Sequence, residues 1–190
     1  MILRKTVSFI AACLFAASPL AAQEAAPSTP ASALRDGSHD FDFERGTWKL
    51  HIRRLLRPLT GAKQWVEYDG TKTDIPIWGG KANVAEVRAN GPAGHLEFIA
   101  LRLYDPVAHQ WSLNFTSKGS GAFGTPLYGE MRDGHFEFIG PDTANGRNIL
   151  VRFVMQSDGP GKASSEQYFS DDGGHSWELN WINTYVLLKG

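Results

Sequence analysis

The chain has 190 residues, with 19 lysines and arginines against 20 aspartates and glutamates and a formal net charge of −1 at pH 7. Near-neutrality excludes the basic stripe that a nucleic-acid surface needs, and a single cysteine, Cys13, excludes a disulfide framework. The length suffices for one hydrophobic core, so stability has to come from packing alone.

The chain opens with a basic pair, Arg4 and Lys5, and an apolar run from Val7 to Ala17 that is too short to cross a bilayer as a helix. Ser18-Pro19-Leu20-Ala21-Ala22 then supplies small residues. This pattern predicts a signal peptide over 1–22, cleaved after Ala22, and a periplasmic or secreted mature protein. Ile10-Ala11-Ala12-Cys13 has the form of a lipoprotein box, but Leu14-Phe15-Ala16-Ala17 stays apolar behind it, which fits a continuing signal better than a lipid anchor. No second stretch is apolar enough for a transmembrane helix. Residues 23–37 are rich in Ala, Pro, Ser and Thr and read as a flexible linker, which leaves 38–190 as the folded domain.

Asp40-Phe41-Asp42-Phe43-Glu44 predicts a short helical turn whose rings plug the end of whatever follows. From Gly46 the period is two. Trp48, Leu50 and Ile52 alternate with Lys49, His51 and Arg53, the pattern of a half-buried strand. The basic cluster Arg53-Arg54-Leu55-Leu56-Arg57 reads as a solvated strand end or an anion-binding rim. Further strands are expected at 63–71, 81–90, 95–104, 110–116, 127–131, 135–139, 149–156, 163–169 and 176–188, with a short extra one at 75–78. Arg132-Asp133-Gly134 and Asp158-Gly159-Pro160-Gly161 mark hairpins between them. Strands of similar length joined by Gly-rich turns predict an all-β fold. The architecture is a single antiparallel up-and-down β-barrel of about ten strands.

Gly46-Thr47-Trp48 resembles the opening motif of the lipocalins and wider calycins. In those barrels the tryptophan sits at the closed end beneath a basic side chain from the last strand, which makes Lys189 the candidate here. The chain from about 38 to 188 also resembles a family of uncharacterised secreted bacterial proteins with a lipocalin-like barrel. Three stretches carry that resemblance: His39-Asp40-Phe41-Asp42-Phe43 leading to Trp48, Leu103-Tyr104-Asp105-Pro106 leading to Trp111, and Asp172-Gly173-Gly174 leading to Trp177 and Asn180-Trp181. The family implies a fold and no assigned activity.

Ser170-Asp171-Asp172-Gly173-Gly174-His175-Ser176-Trp177 has the Asp-box pattern. One copy reads as a rigid hairpin, since Asp172 can bond turn amides. Gly94-His95-Leu96-Glu97 and Gly134-His135-Phe136-Glu137 each put imidazole and carboxylate on one strand face. On adjacent strands the two pairs would make a four-ligand metal site, but as an outward polar row they need no metal, and that is the reading preferred. A haem barrel would need one of the six histidines as iron ligand. Most fall at turns and none has apolar surroundings on both sides, so no cofactor is expected. No nucleophile motif is present, and Gly119-Ser120-Gly121-Ala122-Phe123-Gly124 lies between strands with no helix after it, a loop or a lid over the mouth.

Polar groups inside apolar strands remain as the candidate ligand-binding residues: Arg102, Asn114, Arg152, Glu166, Gln167, Asn180 and Trp181. Facing inward, Arg102 and Arg152 would meet Glu166 as a buried pair or form a carboxylate clamp, whereas facing outward they are solvent groups. Trp78, Trp111 and Trp181 read as core. The expected function is binding of a small, partly apolar ligand in the barrel. The alternatives are an enzyme of the same shape using carboxylate and histidine acid–base chemistry, and a filled structural barrel.

Overall fold

A computed structural model describes residues 35–190. The predicted signal peptide, its cleavage site, Cys13 and most of the linker lie outside the described residues. Ten strands follow one another: β1 (Gly46–Leu55), β2 (Trp65–Ile77), β3 (Ala82–Gly91), β4 (Gly94–Asp105), β5 (Gln110–Ser117), β6 (Leu127–Arg132), β7 (His135–Ala144), β8 (Arg147–Ser157), β9 (Lys162–Ser170) and β10 (Glu178–Lys189). Each pairs antiparallel with its chain neighbours, and β1 pairs with β10 to close the barrel. Full closure gives every strand a hydrogen-bonded neighbour on both sides, so no strand is left as a free edge.

The segment 75–78, expected as a separate strand, is the end of β2 and the turn after it. Pro76 interrupts the sequence pattern there, yet it stands beyond the last residue paired with β1 and loses no bond on that side. Pro141 holds the same position in β7, past the last pair with β6, so β7 continues to Ala144 where the pattern predicted an end at 139. The β5–β6 seam has only three registered pairs, while β7–β8 has ten. The glycine-rich segment that followed Ser117 in sequence lies in the loop joining the two strands of that seam.

One end is plugged as the aromatic pattern predicted. A 3-10 turn at Asp42–Glu44 carries Phe41 into the barrel, where it stacks on Phe136 at 3.9 Å and meets the edge of Trp111 at 4.9 Å. The Trp48 indole N–H donates to the Glu44 carbonyl at 2.7 Å, and the Trp111 indole N–H donates to the Gly37 carbonyl at 3.1 Å. The Gly37 amide donates to the Tyr104 hydroxyl at 2.9 Å, so the chain is already tied down at a residue assigned to the linker. Gly46 has φ +110°, and a Cβ there would stand 2.2 Å from the Lys189 carbonyl oxygen. The glycine of Gly-x-Trp is therefore required by barrel closure.

The Asp-box is the rigid β9–β10 hairpin predicted from its sequence. Asp172 accepts from the Ser170 hydroxyl at 2.7 Å, the Ser176 amide at 3.0 Å and the Ser176 hydroxyl at 2.6 Å. These bonds, led by that from the Ser176 hydroxyl, hold the Asp172 carboxyl well below the usual range. Trp78 corrects the expectation of a core tryptophan: it is 73% exposed on the β2–β3 turn, while Trp111 is fully buried.

Candidate functional site

Alternation along the strands decides what faces inward. On β4 the inner row is Leu96, Phe98, Ala100 and Arg102. On β10 it is Trp181, Asn183 and Tyr185, and on β9 Gln167 and Phe169. Together with Leu50, Lys72, Ala85, Val87, Phe115 and Phe153 these side chains line a cavity of about 450 Å³. That volume falls within the range of small-molecule sites. Two small residues side by side on one wall of the cavity leave space there, since Ala85 pairs with Ala100 between the adjacent strands β3 and β4. Its opening is marked by exposed Arg54, Ser117, Gly124 and Asp142. Arg54 lies 5.4 Å from the Trp181 ring, so one residue of the basic cluster is a rim residue.

The inner end is charged. Lys72 donates to Glu44, and Arg102 Nη1 lies 2.8 Å from Glu44 Oε2, from Asp74 Oδ2 and from Asn83 Oδ1. All four charged side chains are buried. Two cations against two carboxylates balance, which is the condition for charges to persist in a core. Burial pushes the Asp74 carboxyl up to about 6 despite the guanidinium beside it. Burial also lowers the Lys72 amine against the pull of Glu44, with the Arg102 charge acting the same way. For Arg102 burial acts downward but is outweighed by Glu44 and Asp74, and the guanidinium is held more firmly protonated. Lys72 Nζ stands 4.6 Å from the Tyr185 ring and 5.7 Å from the Trp48 ring. The basic side chain over the barrel-opening tryptophan thus comes from β2. Lys189, the candidate from the resemblance, is exposed.

The seven predicted residues divide. Arg102, Gln167 and Trp181 line the cavity. Asn180 is buried at a bulge in β10 and accepts from the Gln167 amide at 2.9 Å, one residue removed from the wall. Asn114, Arg152 and Glu166 are on the outer face, because their neighbours Leu113, Phe115, Phe153, Ser165 and Gln167 take the inner one. Asn114 donates to the Leu101 carbonyl and the Ser112 hydroxyl, both at 3.1 Å. Arg152 lies 3.1 Å from Glu137 and 5.2 Å from the Tyr168 ring. Glu166 accepts from the Tyr168 hydroxyl, whose pKa burial and that bond push up to about 12. With Arg102 inside and Arg152 outside, the two arginines form neither a buried pair with Glu166 nor a shared carboxylate clamp.

Sequence reasoning missed Glu44, Lys72 and Asp74. Lys72 and Asp74 stand in Thr71-Lys72-Thr73-Asp74, where polar alternates with polar and hydrophobicity marks no face. The usable signal was register: Tyr68 is buried, and 70, 72 and 74 follow it on the same face.

The His95–Glu97 and His135–Glu137 pairs lie on β4 and β7, with β5 and β6 between them, so they do not form a four-ligand site. Glu97 instead accepts from Lys118 at 2.7 Å on the outer face. No histidine lines the cavity, so a haem in the barrel would lack an imidazole donor. Among the described residues no cluster of three or more His, Cys, Asp or Glu is arranged to hold a metal ion.

No known family model and no curated protein sequence matches this chain. Among solved structures, the S-type phycobiliprotein lyase CPES from Guillardia theta is similar with a TM-score of 0.57 at 12% identity, over 82% of this chain and 94% of that one. At that identity the likeness shows the fold: a closed, ten-strand antiparallel barrel of lipocalin-like type.

Proposed function

We propose that this protein binds a small, largely apolar molecule inside the barrel, with the ligand's polar end directed at Arg102. The observation that carries the reading is the cavity of about 450 Å³, largely apolar along its wall, with Lys72 and Arg102 at its inner end and Arg54 and Asp142 at its rim. The lipocalin-like neighbour, a phycobiliprotein lyase by name, is compatible with a small-molecule ligand. Membership of a secreted bacterial family, export after cleavage at Ala22 and freedom from cofactors belong to the same proposal. An acid–base enzyme built on Glu166 has less support, since that side chain is outside the barrel. A filled barrel has less support because the adjacent alanines at 85 and 100 leave one wall of the cavity without bulk.

The test is a fluorescence titration with Nile red, a neutral apolar dye. Wild-type protein is expected to bind one dye with a blue-shifted emission. Ala100→Trp and Val87→Trp, each checked for native circular dichroism, are expected to lose that binding by at least about tenfold because the added ring fills the cavity. Undiminished binding by both folded variants would place the dye on the surface and refute the reading.

A further inference from the structure

The charges at the inner end of the cavity are already matched. Lys72 and Arg102 face Glu44 and Asp74, two cations against two carboxylates. An anion brought among them would find no cation to spare, and a buried charge without a partner is costly. The mouth is different. Of the ten described arginines, eight lie within 4.0 Å of a carboxylate, and Arg54 and Arg57 do not. Of these two, Arg54 is the one that lines the cavity.

Arg54 continues the inward alternation of Leu50 and Ile52 on β1 and pairs with Trp181 of β10. Its guanidinium carbon lies 5.4 Å from the centre of the Trp181 ring. That ring is itself fixed: its indole N–H donates to Asn183 Oδ1 at 2.7 Å, and Phe98 meets it edge-on at 6.3 Å. A planar cation laid against a fixed ring is already ordered, so it loses less freedom when it takes a partner. Arg54 is exposed, which leaves it open to a group held at the mouth. The other charge on the rim is Asp142 on β7, with β8, β9 and β10 between the two strands, and one of its oxygens accepts from the Thr143 amide at 2.7 Å. The mouth is thus positive at β1 and negative across the barrel at β7, so an anion is drawn to the Arg54 side.

Resting on the cavity reading above, we propose that the ligand is an organic acid whose anionic group is held at the mouth by Arg54 while its apolar body lies inside. The end turned toward Arg102 is then a neutral polar group, because the balanced cluster there has no place for an anion. At the mouth the anion keeps part of its hydration. The contact with Arg54 is therefore weaker than a buried ion pair, and its loss should cost about five- to twentyfold in affinity.

The experiment is a pair of fluorescence titrations with anilinonaphthalenesulfonate and N-phenylnaphthylamine, the same ring system with and without an anionic group. Arg54→Gln is expected to weaken sulfonate binding at least about fivefold and to leave the neutral amine within about twofold of wild type. Arg54→Lys keeps the charge and should retain most of the sulfonate affinity. Arg53→Gln is the control, since Arg53 is the next residue of β1, points outward and lies 3.8 Å from Glu67. It removes the same charge from the outer face and should change neither affinity. Each variant is first checked for native circular dichroism. Unchanged sulfonate binding by Arg54→Gln would overturn the proposal. So would an equal loss for the neutral amine, which would make Arg54 a packing residue, or an equal loss in Arg53→Gln, which would make the effect one of net charge. If Nile red enters the cavity but the sulfonate fails these criteria, the inference falls and the binding reading stands. If Nile red does not enter, both fall.

Discussion

Arg102 holds the inner end of the barrel together, and its partner Asp74 makes that end sensitive to pH. An isolated aspartate ionises near 3.8, whereas burial moves Asp74 to about 6. Between those values the native state keeps a proton that the unfolded chain has released. Stability from this group is therefore fully present below about pH 4 and is lost as pH rises through 6, a change on the order of 3 kcal/mol. Urea denaturation of wild type and Asp74→Asn from pH 4 to 7.5 measures it. The wild type should lose stability relative to the variant as pH rises, and parallel profiles would show that Asp74 ionises normally. Arg102 was legible in the sequence because it interrupts the apolar row of β4. Its partners were not, since Glu44 precedes the first strand and Lys72 and Asp74 sit in a stretch where both faces are polar. Arg152 shows the converse: it interrupts an apolar run just as Arg102 does, and only the face taken by Val151 and Phe153 sends it outward.

At the scale of elements, the strands differ in how firmly they are held. β7 and β8 share ten registered pairs, while β5 and β6 share three and are joined by the segment that contains cavity residue Gly124. Local opening begins where backbone bonds and buried contacts are fewest. Native-state hydrogen exchange should find the β6 amides that face β5 exchanging well before those joining β7 to β8. Equal protection would mean that the seam is as strong as the rest and that the mouth opens elsewhere. The period-two pattern located the strands, most plainly those such as β1 and β8 in which one face is apolar. Strand ends were less legible at β2 and β7, where a proline tolerated at a one-sided extension imitates a stop.

At the scale of the molecule, closure lets a chain with one cysteine build a stable β fold around an open interior. Phe41, Trp111, Phe136 and Phe138 fill one end, and the neighbouring alanines at 85 and 100 leave space beyond the charged cluster. The barrel was readable from the Gly46-Thr47-Trp48 opening and the ten alternating runs. The cavity was not, since the pairing of Ala85 with Ala100 exists only once register is set. A hollow, largely apolar barrel with Arg102 in its wall suits a ligand with one polar end turned inward. Native mass spectrometry of the protein purified from its own host, beside an Ala100→Trp control expressed there, tests that claim most directly. The account predicts a bound species of a few hundred daltons on the wild type, released on denaturation and missing from the control. An unliganded mass for the wild type, or the same added mass on both proteins, would contradict it.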